Sequence, residues 1–228
     1  MLEVARANAA TLTELRMDST VQYWTVETLR VLLEAAPRLL LLEVALACDQ
    51  DDQVTRAMVR NVPPFQALRL RRLIVCTQNV HDMDDGVAFC SALRCHASIE
   101  KLNIHGVELD TAAAMGALVD ACIVLRLRKL ALFSCRVVPE ALPKLTRVVA
   151  AGALRDLALA NDEEEDKEEE VAVFDAAHES TRMFVAAVRA SALTCLYFDN
   201  LGVLPETVEE AAEFINAHEK RKKRATLR

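Results

Sequence analysis

A short apolar motif recurs along this chain and constrains its fold more than any other feature. Each of the seven copies has the form apolar-x-x-apolar-x-apolar, and the copies begin near positions 12, 41, 70, 99, 127, 154 and 193. The intervals between these starts are 29, 29, 29, 28, 27 and 39 residues, the last being longer because an acidic segment is inserted. Such regularity indicates an internally repeated structural unit.

Each copy predicts one strand followed by one helix. The final part of the motif alternates apolar and polar residues, which is typical of a short strand with one buried face. Helical spacing follows, for example at Met115, Leu118, Val119 and Cys122. One strand and one helix cannot bury their apolar faces alone, so successive copies must stack. The sequence therefore predicts an α/β solenoid with a curved parallel sheet on the concave side and helices on the convex side.

The period and the motif together resemble the ribonuclease-inhibitor-like subfamily of leucine-rich repeats. The resemblance covers residues 12–204, although the family's Asn or Cys at the ninth position is met clearly only by Cys135. Apolar residues occupy the eleventh position in four copies, at Val80, Leu109, Val137 and Val203. The alternative is an all-helical repeat of the armadillo or tetratricopeptide kind. The strand-like triplets and turns such as Asp199-Asn200 argue against it.

We expect one repeat domain over residues 1–228 with two additions. The run 162–170 (DEEEDKEEE) is an acidic loop insertion, in which like charges repel each other. Residues 206–228 are predicted to form a C-terminal capping helix with a basic tail at 220–224. This tail complements the helix dipole and also matches a nuclear-import patch.

Charge and cysteine content restrict the classes of partner and compartment. The acidic run accounts for the whole net charge of −7, and the rest of the chain is neutral. A neutral body argues against general nucleic-acid binding, which needs clustered cations. The longest apolar stretch is too short to cross a bilayer. Seven cysteines with mostly apolar neighbours favour reduced thiols in a cytoplasmic or nuclear setting.

Motifs for catalysis are not found in the sequence. The chain has no glycine-rich phosphate loop, no GxSxG, no HExxH and no CxxC, and its five histidines are scattered along the sequence. We therefore expect no enzymatic activity, no cofactor and no metal site.

The concave face carries the candidate binding residues. Cations recur at the third position of three middle copies, in Arg72, Lys101 and Lys129, and Arg71, Arg128 and Arg155 lie at their edge. Aromatic and arginine side chains on a rigid surface are frequent binding anchors. The predicted partner-binding residues lie at the third, fifth and seventh positions and are Arg72, Ile74, Lys101, Asn103, His105, Lys129, Phe133 and Tyr197. The plain alternative is that these side chains only cover the sheet.

Three functions fit these features. The first is a non-enzymatic protein-interaction scaffold, or a subunit of a larger complex, that binds a protein partner on the concave face. The resemblance also allows a small-GTPase regulator of the Ran GTPase-activating type, since those proteins share the repeat and carry an acidic segment. The third is an acidic, histone-chaperone-like nuclear protein. Likeness of fold alone does not decide among them.

Overall fold

In the part of the chain that the structure describes, seven strands form one parallel sheet in which strand order follows sequence order. The computed structural model describes residues 7–8, 10–17, 31, 33–46, 69–80, 83–94, 96, 98–107, 109, 111–135, 137–161, 173–175, 177–201 and 204–226. The strands are β1 (Glu14–Met17), β2 (Leu41–Leu46), β3 (Arg72–Val80), β4 (Lys101–Val107), β5 (Lys129–Phe133), β6 (Asp156–Ala160) and β7 (Cys195–Asp199). The acidic run 162–170 lies outside the described residues.

Helices alternate with the strands through the second half of the array. They are α1 (Met83–Leu93), α2 (Ala112–Leu125), α3 (Leu142–Ala150), α4 (Glu179–Ala190) and α5 (Glu206–Thr226), and a 3-10 turn at Pro139–Ala141 precedes α3. Thr111 caps α2 by accepting a hydrogen bond from the backbone N–H of Ala114 at 3.1 Å. None of the described helices is both long and apolar enough to cross a membrane.

The core lies between the helices and one face of the sheet. Fourth- and sixth-position strand residues such as Leu102, Ile104 and Leu130 are fully buried, and they cluster with helix residues such as Phe89 and Leu118. Each such side chain stabilises the fold by about 1.5–3 kcal/mol when fully buried. We call the opposite face of the sheet the open face. The alternating, parallel α/β architecture predicted from the sequence is confirmed at this level.

The register of β2 differs from the sequence assignment by two residues. Leu42 pairs with Leu15 on one side and with Leu73 on the other, so the second copy begins at Leu39 rather than at position 41. The first two intervals are then 27 and 31 residues rather than 29 each. Residues 39–42 are all leucine, and a shift of two residues preserves the alternation of side chains along a strand, so the apolar pattern alone could not choose between the two assignments.

A left-handed backbone conformation recurs at or directly after the carboxyl end of three strands. Gly106, Ser134 and Asn200 each occupy the eighth position of their copy, and their φ angles are 74°, 55° and 49°. The same conformation at the same position in three copies means that the copies resemble one another in backbone as well as in apolar pattern.

The last strand has its outer edge covered by a side chain of α5. Asn216 donates through Nδ2 to the carbonyl oxygen of Leu196 at 2.9 Å and accepts the Leu196 N–H through Oδ1 at 3.1 Å. One amide side chain thus satisfies both backbone groups that Leu196, in the middle of β7, directs away from β6. Unpaired edge groups of this kind otherwise offer a template for another strand.

Candidate functional site

The open face is organised as three rows that run across the strands. Strand pairing aligns residues of equal position, so each row holds one residue from each strand. The third row contains Glu14, Leu41, Arg72, Lys101, Lys129, Asp156 and Cys195. The fifth row contains Arg16, Glu43, Ile74, Asn103, Ala131, Ala158 and Tyr197. The seventh row contains Ala45, Cys76, His105, Phe133, Ala160 and Asp199.

Three cations stand side by side in the middle of the third row. Arg72, Lys101 and Lys129 pair directly across β3, β4 and β5. Lys101 is exposed and the other two are half-buried. Within the described part of the chain, none of the three forms a salt bridge. Neighbouring like charges on one sheet face repel each other, so these three cations destabilise one another unless opposite charges lie nearby.

Acidic groups bound the cations on both sides. Asp156 follows Lys129 in the third row, and its carboxylate accepts a hydrogen bond from the Thr194 hydroxyl at 3.2 Å. On the other side, Glu43 pairs with Arg16 at 3.7 Å. The shifted register puts Glu43 in the fifth row, where the sequence had assigned Ala45, and puts Leu41 in the third row.

The middle of the fifth row, beside the cations, is largely buried. Ile74 is only 7% exposed and Ala131 is fully buried, although neither belongs to the main core cluster. Ile74 shares the open face with the other predicted binding residues, but neighbouring side chains on that face cover it. Asn103 is half-buried between these two residues in the row.

Two polar atoms on this face have no hydrogen-bond partner among the described residues. They are Nε of Arg72 and Oδ1 of Asn103, and both are shielded from solvent. A buried donor or acceptor without a partner costs about 1–3 kcal/mol. Such groups require an explanation in a native fold, and because both atoms are shielded from solvent, a partner could reach them only after neighbouring side chains move.

An aromatic pair occupies the seventh row. His105 and Phe133 lie on neighbouring strands with ring centroids 4.7 Å apart and planes tilted by 32°. Burial lowers the pKa of His105 below its usual 6.5, while the nearby Glu43 carboxylate raises it by a smaller amount. Burial and Glu43 both raise the pKa of the neighbouring Cys76 thiol. The imidazole therefore favours its neutral form, which suits contact with an apolar group.

Tyr197 lies apart from the other predicted residues. It is 47% exposed on β7, two strands beyond Phe133, and its hydroxyl donates to the Asp199 carboxylate at 2.9 Å. That hydrogen bond raises the pKa of Tyr197. The remaining seven residues lie together on β3, β4 and β5, and we call them the central patch: Arg72, Ile74, Lys101, Asn103, His105, Lys129 and Phe133.

The arginines at the second position of the copies add positive charge unevenly beside the central patch. Arg71 and Arg128 are exposed, but Glu100 lies between them on the intervening strand start. Arg155 donates from Nη1 to the backbone carbonyl of Ala192 at 2.9 Å, so its guanidinium is already engaged. Sequence spacing identified these arginines but missed Glu100, which stands at the same second position.

Metal ligation finds no support in the part of the chain that is described. No group of three or more histidine, cysteine or carboxylate side chains there is arranged to hold an ion. Cys90 and Cys122 are buried, and burial raises the pKa of both thiols, that of Cys122 to about 12.

No family model matches the chain, and no curated protein matches it either.

Proposed function

We propose that this chain is a leucine-rich repeat protein of the ribonuclease-inhibitor-like subfamily that binds a protein partner through its open face. It would act as a scaffold or as a subunit of a larger complex, without catalysing a reaction. The central patch carries the proposal, because an aromatic pair coincides there with three neighbouring cations that form no salt bridge with any other described residue.

Loop geometry supports the family assignment. Cys135 stands at the ninth position, where leucine-rich repeats carry Asn or Cys. Its buried thiol donates to the carbonyl oxygens of Phe133 at 3.1 Å and of Ile104, in the preceding strand, at 3.4 Å. Asn161 plays a related part, since its amide exchanges two hydrogen bonds with the backbone of Val137. These bonds tie two of the loops to the preceding copy.

A paired substitution on the open face tests the binding proposal. We expect Phe133→Ala combined with Lys101→Glu to abolish recovery of the native partner from cell extract, measured by affinity capture and quantitative mass spectrometry. The double variant removes an aromatic anchor and reverses a steering charge. Its circular dichroism spectrum should match the unsubstituted protein, because Lys101 is exposed and Phe133 lies outside the main core.

Arg94→Glu is the matched control away from the open face. Arg94 is exposed and directly follows α1, on the helical side of the array. We expect this variant to recover the partner as well as the unsubstituted protein does. Loss of the partner with Arg94→Glu, and retention with the open-face pair, would show that the binding face is the helical one.

A further inference from the structure

The spacing of the cations in the central patch determines what can pair with all of them. Neighbouring strands lie about 4.8 Å apart, so Arg72, Lys101 and Lys129 span about 9.6 Å across β3, β4 and β5. Successive turns of an α-helix place side chains about 5.4 Å apart on one face. Alternate side chains of an extended strand lie about 6.8 Å apart.

These distances favour a helix over an extended peptide. Over two steps, three carboxylates on one helix face depart from the cation spacing by about 1 Å, which flexible lysine side chains absorb. Three carboxylates on one face of an extended strand depart by about 4 Å, which breaks at least one ion pair. A helix that crosses the strands therefore matches this row.

The width of the central patch also fits a helix. The third and seventh rows are separated by four residues along each strand, or about 13 Å. A helix with its side chains is about 10–12 Å wide. Between the two rows, Ile74 and Ala131 are buried, so the side chains around them form the surface that such a helix would contact. One flank then meets the cations, and the other meets His105 and Phe133.

We infer that the central patch binds an amphipathic helix of a partner protein with an acidic stripe beside an apolar stripe. Carboxylates at i, i+4 and i+7 would face Arg72, Lys101 and Lys129. Successive helix residues differ by about 100°, so apolar residues one position further along face Phe133. This inference rests on the proposed function and names the chemistry of its partner. Glu43, Glu100 and Asp156 border the cations and disfavour the longer charged track of a nucleic acid.

A peptide panel tests the inference on the full-length protein. The probe is an alanine-based helical peptide of about 18 residues, long enough to be helical in water, with Glu and Leu in the two stripes. One control has the same composition with Glu distributed around all faces, and a second has two central prolines that break the helix. A single-stranded oligothymidine is the third. Fluorescence anisotropy measures binding at low salt and at about 0.5 M salt.

We expect the striped peptide to bind and each control to bind at least about tenfold more weakly. Lys101→Glu and, independently, Lys129→Glu should weaken the striped peptide by about fivefold or more, since each loses one ion pair and adds a repulsion. Arg94→Glu should leave its affinity unchanged, and high salt should weaken it. Circular dichroism and thermal unfolding verify that each variant is folded.

Three outcomes would overturn the inference. They are equal binding of the proline-broken peptide, tighter binding of the oligonucleotide, and no binding of the striped peptide. Each leaves the proposed function standing, because that proposal fails only when recovery of the native partner is insensitive to the open-face substitutions.

Discussion

The eighth position of the strand–helix units shows how one residue directs the chain. Gly106, Ser134 and Asn200 each turn the backbone through the left-handed region, Gly106 near the end of β4 and the other two directly after β5 and β7. This conformation costs an ordinary L-residue about 1–2 kcal/mol, whereas glycine adopts it freely and asparagine tolerates it. The same backbone conformation therefore costs a different free energy at each of the three residues.

The effect of a substitution at this position on stability should depend on whether it adds or removes a side chain. We expect Gly106→Ala to lower the free energy of unfolding by about 1 kcal/mol, because a Cβ disfavours the left-handed turn. Ser134→Gly should not lower it, because the substitution relieves the same conflict. Urea unfolding measures both variants. A neutral Gly106→Ala together with a destabilising Ser134→Gly would contradict this account.

The imidazole of His105 should report the environment of the open face. Its pKa lies below 6.5 because burial disfavours the charged form. The unfolded chain then binds the proton first, so this group's contribution to stability is complete above pH 6.5 and declines as the pH falls toward the folded-state pKa. An NMR titration of the ring protons should give a midpoint below 6.5. Glu43→Gln should lower that midpoint further, and an unchanged or higher midpoint would be inconsistent with this assignment.

Sequence reasoning located the open-face residues but not their exposure. Strict alternation along a strand fixes which side chains share a face, so Lys101, Asn103 and His105 could be placed from the sequence. The exposure of Ile74 depends on side chains of the adjacent strands, which the pattern of one strand does not contain. The isolation of Tyr197 on β7 likewise emerges only when the strands are placed in order.

At the scale of the element, the apolar periodicity predicted strands and helices well and the register of one strand poorly. The helical positions Met115, Leu118, Val119 and Cys122 are all buried on α2. In β2, the four consecutive leucines at 39–42 are compatible with several strand registers. Pairing of Leu42 with Leu15 and Leu73 selects one of them. A uniform run of one residue type carries no register information, however strongly it predicts burial.

A charge placed inside one central strand should unfold the middle of the array. Leu130 is 1% exposed and lies between Leu102 and Leu157 in the sheet. We expect Leu130→Asp to cost about 4 kcal/mol or more, because it buries an unpaired carboxylate. Far-UV circular dichroism should show lost helix and strand. Lys101→Asp, on the exposed face of β4, is the control and should leave the spectrum intact; equal loss from both would contradict the assignment of the two faces.

At the scale of the whole molecule, each unit packs against its immediate neighbours, so stability accumulates along one dimension. The core cluster nonetheless runs without interruption from Leu33 to Ile215 through the described residues. Disturbance at one end should therefore loosen that end first.

Hydrogen exchange can test this directional loss of structure. We expect Leu196→Ala to cost about 2–5 kcal/mol locally, because it leaves a cavity between β7 and α5. Amide protection should fall in β7 and α5, while β3, β4 and β5 exchange as in the unsubstituted protein. Equal acceleration in every strand would indicate a single cooperative unit instead.

The two hydrogen bonds between Asn216 and Leu196 also affect how molecules of this protein can associate through the edges of their sheets. Open-ended polymers require two joining sites on each molecule, and a stacked sheet has two edges where joining can occur. At β7, one amide occupies the backbone groups in the middle of the strand. Addition of a further strand at this point of β7 must first displace Asn216, so growth of a fibre through this edge is disfavoured.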